Sequence, residues 1–287
     1  MATLREIKQR ITGIQKTQQI TRALKMVAAV KFRRAQQSIL QARPYALRLN
    51  DIMGHVAFDV DRKLHPLLAI RESRRIGYVI FTGDQGLCGS FNNNVIRKAE
   101  AEFVNHPDDE IDLILVGKKG NDYFVRRNYN IIGSYLKFYK DLKFNKAVEL
   151  AKLIIDLYIE EKLDRVYLIY NEFKSAIRQD LTVEQLLPII PVEPEEKGGA
   201  ADFIYEPDPI KLLDTLCPRH INIKIWRVLL ESYSSEMGAR MTAMEYATEN
   251  ANNLINELSM EYNKVRQEKI TGEILEIVNG SEALRAS

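Results

Sequence analysis

The chain has 287 residues, enough for one large domain or two and for a sizeable core. An apolar fraction of 46% with a net charge of only +2 excludes a disordered chain and a uniformly cationic nucleic-acid binder. Two cysteines, Cys88 and Cys217, form neither a disulfide framework nor a metal-ligand spacing, which makes a reducing cytosolic compartment the simpler reading.

The start, MATLREIKQR, has no apolar run of a secretory signal, so no leader is expected. No run of eighteen apolar residues occurs either, and a membrane-spanning helix is not expected. The small net charge hides an asymmetry. Residues 1–50 carry eleven lysines and arginines against a single acid, Glu6. Residues 231–287 carry ten glutamates against five basic side chains.

The first predicted element is a long helix. From Leu4 a strict 4–3 spacing runs through Ile7, Ile11, Ile14, Gln18, Thr21, Lys25, Ala28, Phe32, Ala35, Ile39, Ala42, Ala46, Leu49, Met53 and Val56. All but three of these are apolar, the pattern of a coiled-coil seam. Gln18, Thr21 and Lys25 interrupt it, and looser packing is expected there. Pro44 is expected to kink the helix or break it locally, since a mid-helix proline costs roughly 3 kcal/mol. The stretch ITRALKMVAAVKFRRAQ, residues 20–36, combines five basic side chains with Met26, Val27, Ala28, Ala29 and Phe32 and contains no acid. Nucleic acid, a membrane surface, an acidic helix and a protein sleeve all fit such a helix.

From about residue 73 to 195 the period changes. RIGYVIFT (75–82), IDLILVG (111–117), DRVYLIYN (164–171) and LTVEQLLPII (181–190) read as strands. Amphipathic stretches near 91–105, 118–127 and 144–162 read as helices between them. The alternation predicts a mostly parallel, helix-covered sheet whose last two strands pair antiparallel. PVEPEEKGGAAD (191–202) reads as a linker.

TGDQGLCGSFN (82–92) follows the first strand. Three glycines at a strand-to-helix turn can cradle a phosphate, yet neither a Walker A loop nor the dinucleotide fingerprint is present. GLCGS approaches a nucleophile elbow, with Cys88 as nucleophile, but Ser90 replaces the final glycine. Neither His106 nor His220 sits in a convincing catalytic setting. A structural turn is the favoured reading of residues 83–90.

A second long helix is expected from about Pro209, with a seam through Leu230, Tyr233, Met237, Met244, Ala247, Ala251, Leu254, Leu258 and Val265. Alanines 239, 243, 247 and 251 permit close approach. The two end helices are each other's simplest partners, as an antiparallel pair. Apolar burial supplies their stability, while exposed ion pairs of about 0–1 kcal/mol each help choose the partner. The first is roughly 80 Å long and the second about 110 Å, so the C-terminal helix outruns its partner near Val265. Beyond it Ile270, Ile274, Leu275, Ile277 and Val278 have no cover within the chain, leaving a frayed tail or a tip enclosed by another protein.

These segments together resemble the gamma-subunit family of the F-type ATP synthase, the central rotating shaft of that complex. The resemblance rests on ITRALKMVAAVKFRRAQ, DQGLCGSFN, DFIYEPDPIKLLDTL (202–216), ARMTAMEYATENANNLI (239–255) and YNKVRQEKITGEILEIVNG (262–280), in order along the whole chain. It implies an antiparallel coiled coil of residues 1–57 and 208–287 with an inserted Rossmann-like α/β foot domain, 73–195, joined through connectors 58–72 and 196–207. It implies partners: a hexameric ring of alpha and beta subunits, an epsilon subunit and a c-ring. No cofactor, metal or nucleic acid is implied, and no catalytic residue.

By position the resemblance places Arg266 and Gln267 against a catch loop of beta, and Arg22, Lys25 and Met26 against acidic lever loops of beta. Ile270, Ile274 and Ile277 become the tip held in a greasy bearing, and Tyr205 and Glu206 lie on the foot beside the c-ring. Many relatives have Met where Leu24 stands, a conservative difference. The insertion with paired regulatory cysteines found in chloroplast relatives is lacking, so redox control of that kind is not expected. The family implies a peripheral place on the cytoplasmic face of a bacterial inner membrane. Two other classes make distinct expectations: a polyanion-binding module would lose affinity steeply with salt, and a cysteine hydrolase would lose activity in Cys88→Ala.

Overall fold

A computed structural model describes residues 3–285 except 59, 73, 176–178 and 192–207. In chain order the main elements are α1 (Leu4–Phe58), β1 (Arg75–Phe81), α2 (Phe91–Val104), β2 (Glu110–Val116) and α3 (Lys118–Phe124). They continue with β3 (Asn130–Tyr135), α4 (Phe144–Ile159), β4 (Arg165–Phe173), β5 (Gln179–Leu187) and α5 (Pro209–Arg285). The long helices thus flank an α/β region, as expected. Two compact units result, one from Met1–Val27 with Met241–Ser287 and one from Ala28–Arg240.

The first unit is an antiparallel helix pair. Its register is written in three side-chain contacts: Gln18 with Asn252 at 3.5 Å, Thr21 with Thr248 at 2.8 Å, and Lys25 with Glu245 at 2.6 Å. Sequence numbers rise on one helix as they fall on the other. All sixteen predicted α1 seam positions, in both units, are buried or half-buried, which confirms the heptad phase. The three polar interruptions each find a polar partner across the seam, where loosening was expected. On α5 the buried or half-buried row is Met244, Thr248, Ala251, Ile255, Leu258, Tyr262 and Val265. Leu254, assigned to the seam from sequence, is 47% exposed, and Ile255 takes its place. A 4–3 spacing from Thr248 requires that substitution, while Ala247, also assigned to the seam, is half-buried beside the row.

Helix α1 continues through Pro44 without the break that proline allows. Both Pro44 and Leu40 are exposed. Proline leaves the Leu40 carbonyl without its helical donor, a loss that an exposed stretch of helix tolerates because water can replace the donor.

The second unit is built on a five-stranded sheet of order β3-β2-β1-β4-β5. β1, β2, β3 and β4 run parallel, and β5 pairs antiparallel with β4. Strand alternation sorts the core. Ile76, Tyr78 and Ile80 meet α2 and α3 through Val95, Ala99, Phe103 and Phe124. Val79 and Phe81 face the other way, toward α4 and the adjoining stretches of α1 and α5 through Leu150, Ile154, Met53, Val56, Ile221 and Ile225. Period-2 alternation of apolar residues on both faces is what a sheet covered on both sides requires.

Strand β3 was not legible in the sequence. It is a six-residue edge strand, mostly half-exposed, whose centre is Gly133. A Cβ there would press within 3.1 Å of Leu153 and 3.3 Å of Ile114, so helix α4 packs where a side chain would have signalled a strand.

Candidate functional site

In an open sheet of order 3-2-1-4-5 the strand order reverses beside β1, and ligands of such folds bind at the carboxyl ends of the strands there. The glycine turn 82–90 leaves β1 at that point. Here the chain's own side chains take up the polar groups of the crevice, beside an open cavity of about 380 Å³ lined by Asp84, Gln85, Glu236 and Arg240. Asp84 Oδ1 accepts the backbone N–H groups of Lys118 at 3.1 Å and Lys137 at 2.9 Å, occupying the anion position at the start of α3. The Gly83 N–H donates to Asn92 Oδ1 at 2.8 Å.

From α5, Arg240 Nη2 donates to the carbonyls of Gln85 at 3.4 Å and Gly86 at 3.1 Å, and pairs with Glu236 Oε1 at 2.6 Å. The Arg240 and Glu236 side chains are 9% and 4% exposed, so this is a buried ion pair. Burial pushes the Glu236 carboxyl upward, against the pull of Arg240. A Cβ at Gly83 would lie 2.8 Å from the Glu236 carboxyl carbon, so a side chain there would displace the Glu236 end of the ion pair. The loop aims two carbonyls at a guanidinium, and its Asp84 holds the Lys118 and Lys137 amides, an arrangement that disfavours a phosphate there.

Cys88 is 1% exposed, and burial pushes its thiol up, with Glu236 adding to the effect. A desolvated thiol beside a carboxylate is held in the unreactive protonated form, which overturns the cysteine-hydrolase reading. Asn92 Nδ2 donates to its sulfur at 3.2 Å. The turn is structural, and it seats α5. Sequence reasoning missed Asp84, Asn92, Glu236 and Arg240. The one available signal was the i,i+4 acid–base pair in SSEMGAR, set among small residues.

The predicted beta-contact and tip residues lie on the helix pair. Arg22 is exposed, Met26 is 59% exposed, and Lys25 is turned to Glu245 across the seam. Ile20 and Val27 are exposed as well, at 60% and 52%, so of the apolar side chains in residues 20–36 only Ala28, Phe32 and Ala35 enter the seam. On α5, Val265 is the last seam residue, and Arg266 and Gln267 are exposed. From there to Val278 every side chain is exposed, including Ile270, Ile274, Leu275 and Ile277; Gly272 alone is half-buried. Tyr205 and Glu206 lie outside the described residues. Among the described residues no helix is long and apolar enough to cross a membrane.

The ATP synthase family profile matches residues 3–284. The ATP synthase gamma chain of Prosthecochloris aestuarii is 45% identical over 293 residues, spanning 100% of both chains. That of Moorella thermoacetica is 46% identical over 285 residues, covering 99% of this chain and 100% of the relative. The chain belongs to the ATP synthase gamma-chain family.

Solved structures agree with the fold. A chain in the central stalk and c-ring structure of the Tetrahymena thermophila mitochondrial ATP synthase superposes with a TM-score of 0.62 at 25% identity. The match covers 79% of this chain and 99% of that one. A chain in the OSCP/F1/c-ring structure of the Euglena gracilis enzyme, in rotational state 3, gives a TM-score of 0.71 at 24% identity, covering 99% and 95%. As a gamma chain, the protein is the central rotor shaft of the F-type ATP synthase and is not itself catalytic.

Proposed function

We propose that this gamma chain transmits torque through three surfaces of its helix pair, turning inside an alpha–beta ring while a c-ring drives it. The observation that carries the reading is the α5 segment from Arg266 to Val278, exposed and rich in large apolar side chains beyond the last seam residue. An apolar helix tip of this kind needs an enclosing surface. Ile270, Ile274 and Ile277 serve as the bearing tip.

Arg266 and Gln267, at the root of that segment, hydrogen-bond a catch loop of beta. Arg22 and Met26, both exposed, face acidic lever loops of beta, where a flexible cationic head attracts without locking; Lys25, held to Glu245 across the seam, adds its charge from behind. The shaft comprises 1–57 and 208–287 and the foot 73–195, with connectors 58–72 and 196–207. Tyr205 and Glu206 lie on the foot side toward the c-ring, where the epsilon subunit also docks. Central stalk and c-ring occur together in the Tetrahymena structure, which supports that reading of the foot. The chain sits at the cytoplasmic face of a bacterial inner membrane through its partners.

The test is a reconstituted complex carrying Arg266→Ala with Gln267→Ala. ATPase turnover is expected to fall while the amount of assembled complex stays near wild type. Turnover equal to wild type rules out the catch assignment.

A further inference from the structure

Where α5 crosses β4 and β5, the charges pair unevenly. Glu172 on β4, Glu184 on β5 and Glu231 on α5 stand among Lys174, Lys224 and Arg227. Glu184 takes two of the cations: Lys224 Nζ at 3.2 Å and Arg227 Nη2 at 2.7 Å. The Tyr170 hydroxyl donates to the same carboxylate at 3.0 Å. Glu172 takes Lys174 at 2.6 Å, and Asp180 acts on that lysine too. Glu231 is left with Arg227 Nε at 3.9 Å, a cation already committed to Glu184.

The Glu231 side chain is 12% exposed, and its Oε2 is buried with no hydrogen-bond partner among the described residues. An ionised carboxylate placed so gives up hydration and gains little in return, whereas the neutral acid loses far less. We propose that Glu231 is a proton-sensitive joint: the folded chain carries it as the neutral acid, and its ionisation loosens the seat of α5 on β4 and β5.

Burial pushes the Glu231 carboxyl up to about 7, with Glu172 and Glu184 adding to the rise and Arg227 and Lys174 opposing it. A carboxyl raised in the folded state binds its proton more tightly there than in the unfolded chain. Its contribution to stability is therefore complete at acid pH and is lost as pH rises through about 7. His220, on the same helix, acts in the opposite sense. Burial pushes its ring down to about 4, so its contribution is lost as pH falls. The signature of Glu231 is thus a difference between variants, since the two slopes oppose each other in a single curve.

The experiment measures denaturant unfolding of the full-length chain and its Glu231→Gln variant from pH 5 to pH 8. Glutamine mimics the neutral acid. The folded-to-unfolded ratio of wild type, relative to the variant, is expected to drop roughly tenfold or more across that range. Parallel curves overturn the proposal. Hydrogen exchange on the wild-type chain tests the same joint without a variant. After correction for intrinsic rates, amides of residues 227–235 and 179–187 are expected to exchange roughly tenfold faster at pH 8 than at pH 6, with β1 and β2 unchanged. Equal protection at both pH values also overturns it.

Discussion

The helix pair and the α/β unit are held together in different ways. In the α/β unit, Ile76, Val79, Ile80, Phe81, Leu113 and Ile114 are all 0% exposed, and helices cover both faces of the sheet. In the helix pair, the seam between Gln18 and Lys25 is polar, while Ile20, Met26 and Val27 point outward. A polar residue at a seam position gives up apolar burial and in exchange fixes register, because only one alignment satisfies its hydrogen bonds. The sheet unit is built for stability. The helix pair is built for stiffness in one register, with a second set of apolar side chains exposed outside the seam.

That contrast predicts a ranking of mutational effects. The largest belongs to the α5 seat in the α/β unit. Arg240→Ala leaves Glu236 buried without its cation and is expected to lower unfolding free energy by about 3–5 kcal/mol in denaturant titrations of the full chain. Next is the pH response of the same unit. His220 has a folded pKa of about 4 against an ordinary 6.5, so the unfolded chain binds more protons between those values. Stability from this ring is present above pH 6.5 and lost as pH falls toward 4, by roughly 1–3 kcal/mol. His220→Gln is expected to remove that component from the pH profile.

The helix pair is expected to respond less. Thr21→Val removes the contact to Thr248, whose hydroxyl keeps its 2.7 Å bond to the Met244 carbonyl, and is expected to cost about 0.5–1 kcal/mol, while the double change with Thr248→Val is expected to cost less than the sum of the two single changes. A double-mutant cycle by thermal unfolding reads that coupling, and additive losses count against the register-pin reading. The smallest effect is expected for Lys25→Gln. Its pair with Glu245 is 37% and 55% exposed, so the change lies within about 0–1 kcal/mol and shrinks with salt. A loss as large as that of Arg240→Ala would erase the distinction between the two units.

Legibility in the sequence followed periodicity. The sixteen seam positions of α1 stand out because a 3.5-residue repeat is written in side chains that must face one partner, and all sixteen are buried or half-buried. Four strands and the intervening helices were legible for the same reason: each buries a regular face. β3 was not, because its buried half is contributed by a glycine under α4 and by half-exposed residues. The phase of α5 failed at one place, Leu254, because alanines and threonine around it give weak contrast between faces. Of the site, the exposed tip from Ile270 to Ile277 was legible from the unequal lengths of two periodic helices.

The plug at the end of β1 was not legible. Arg240 reaches the Gln85 carbonyl across 155 residues of chain, and polar side chains carry no period that announces a partner. The meeting of Asp84, Asn92, Glu236 and Arg240 depends on the strand order and on where α5 returns. The same holds for Glu231, whose environment is set by Glu184 and by Arg227's commitment to it. Local pattern by itself determined the helices, most of the strands, the antiparallel partnership and the overhanging tip, because each follows from the spacing of apolar side chains. Only the tertiary structure decided which polar groups share a buried site and which are left short of a partner, because burial and long-range pairing are properties of the packed chain.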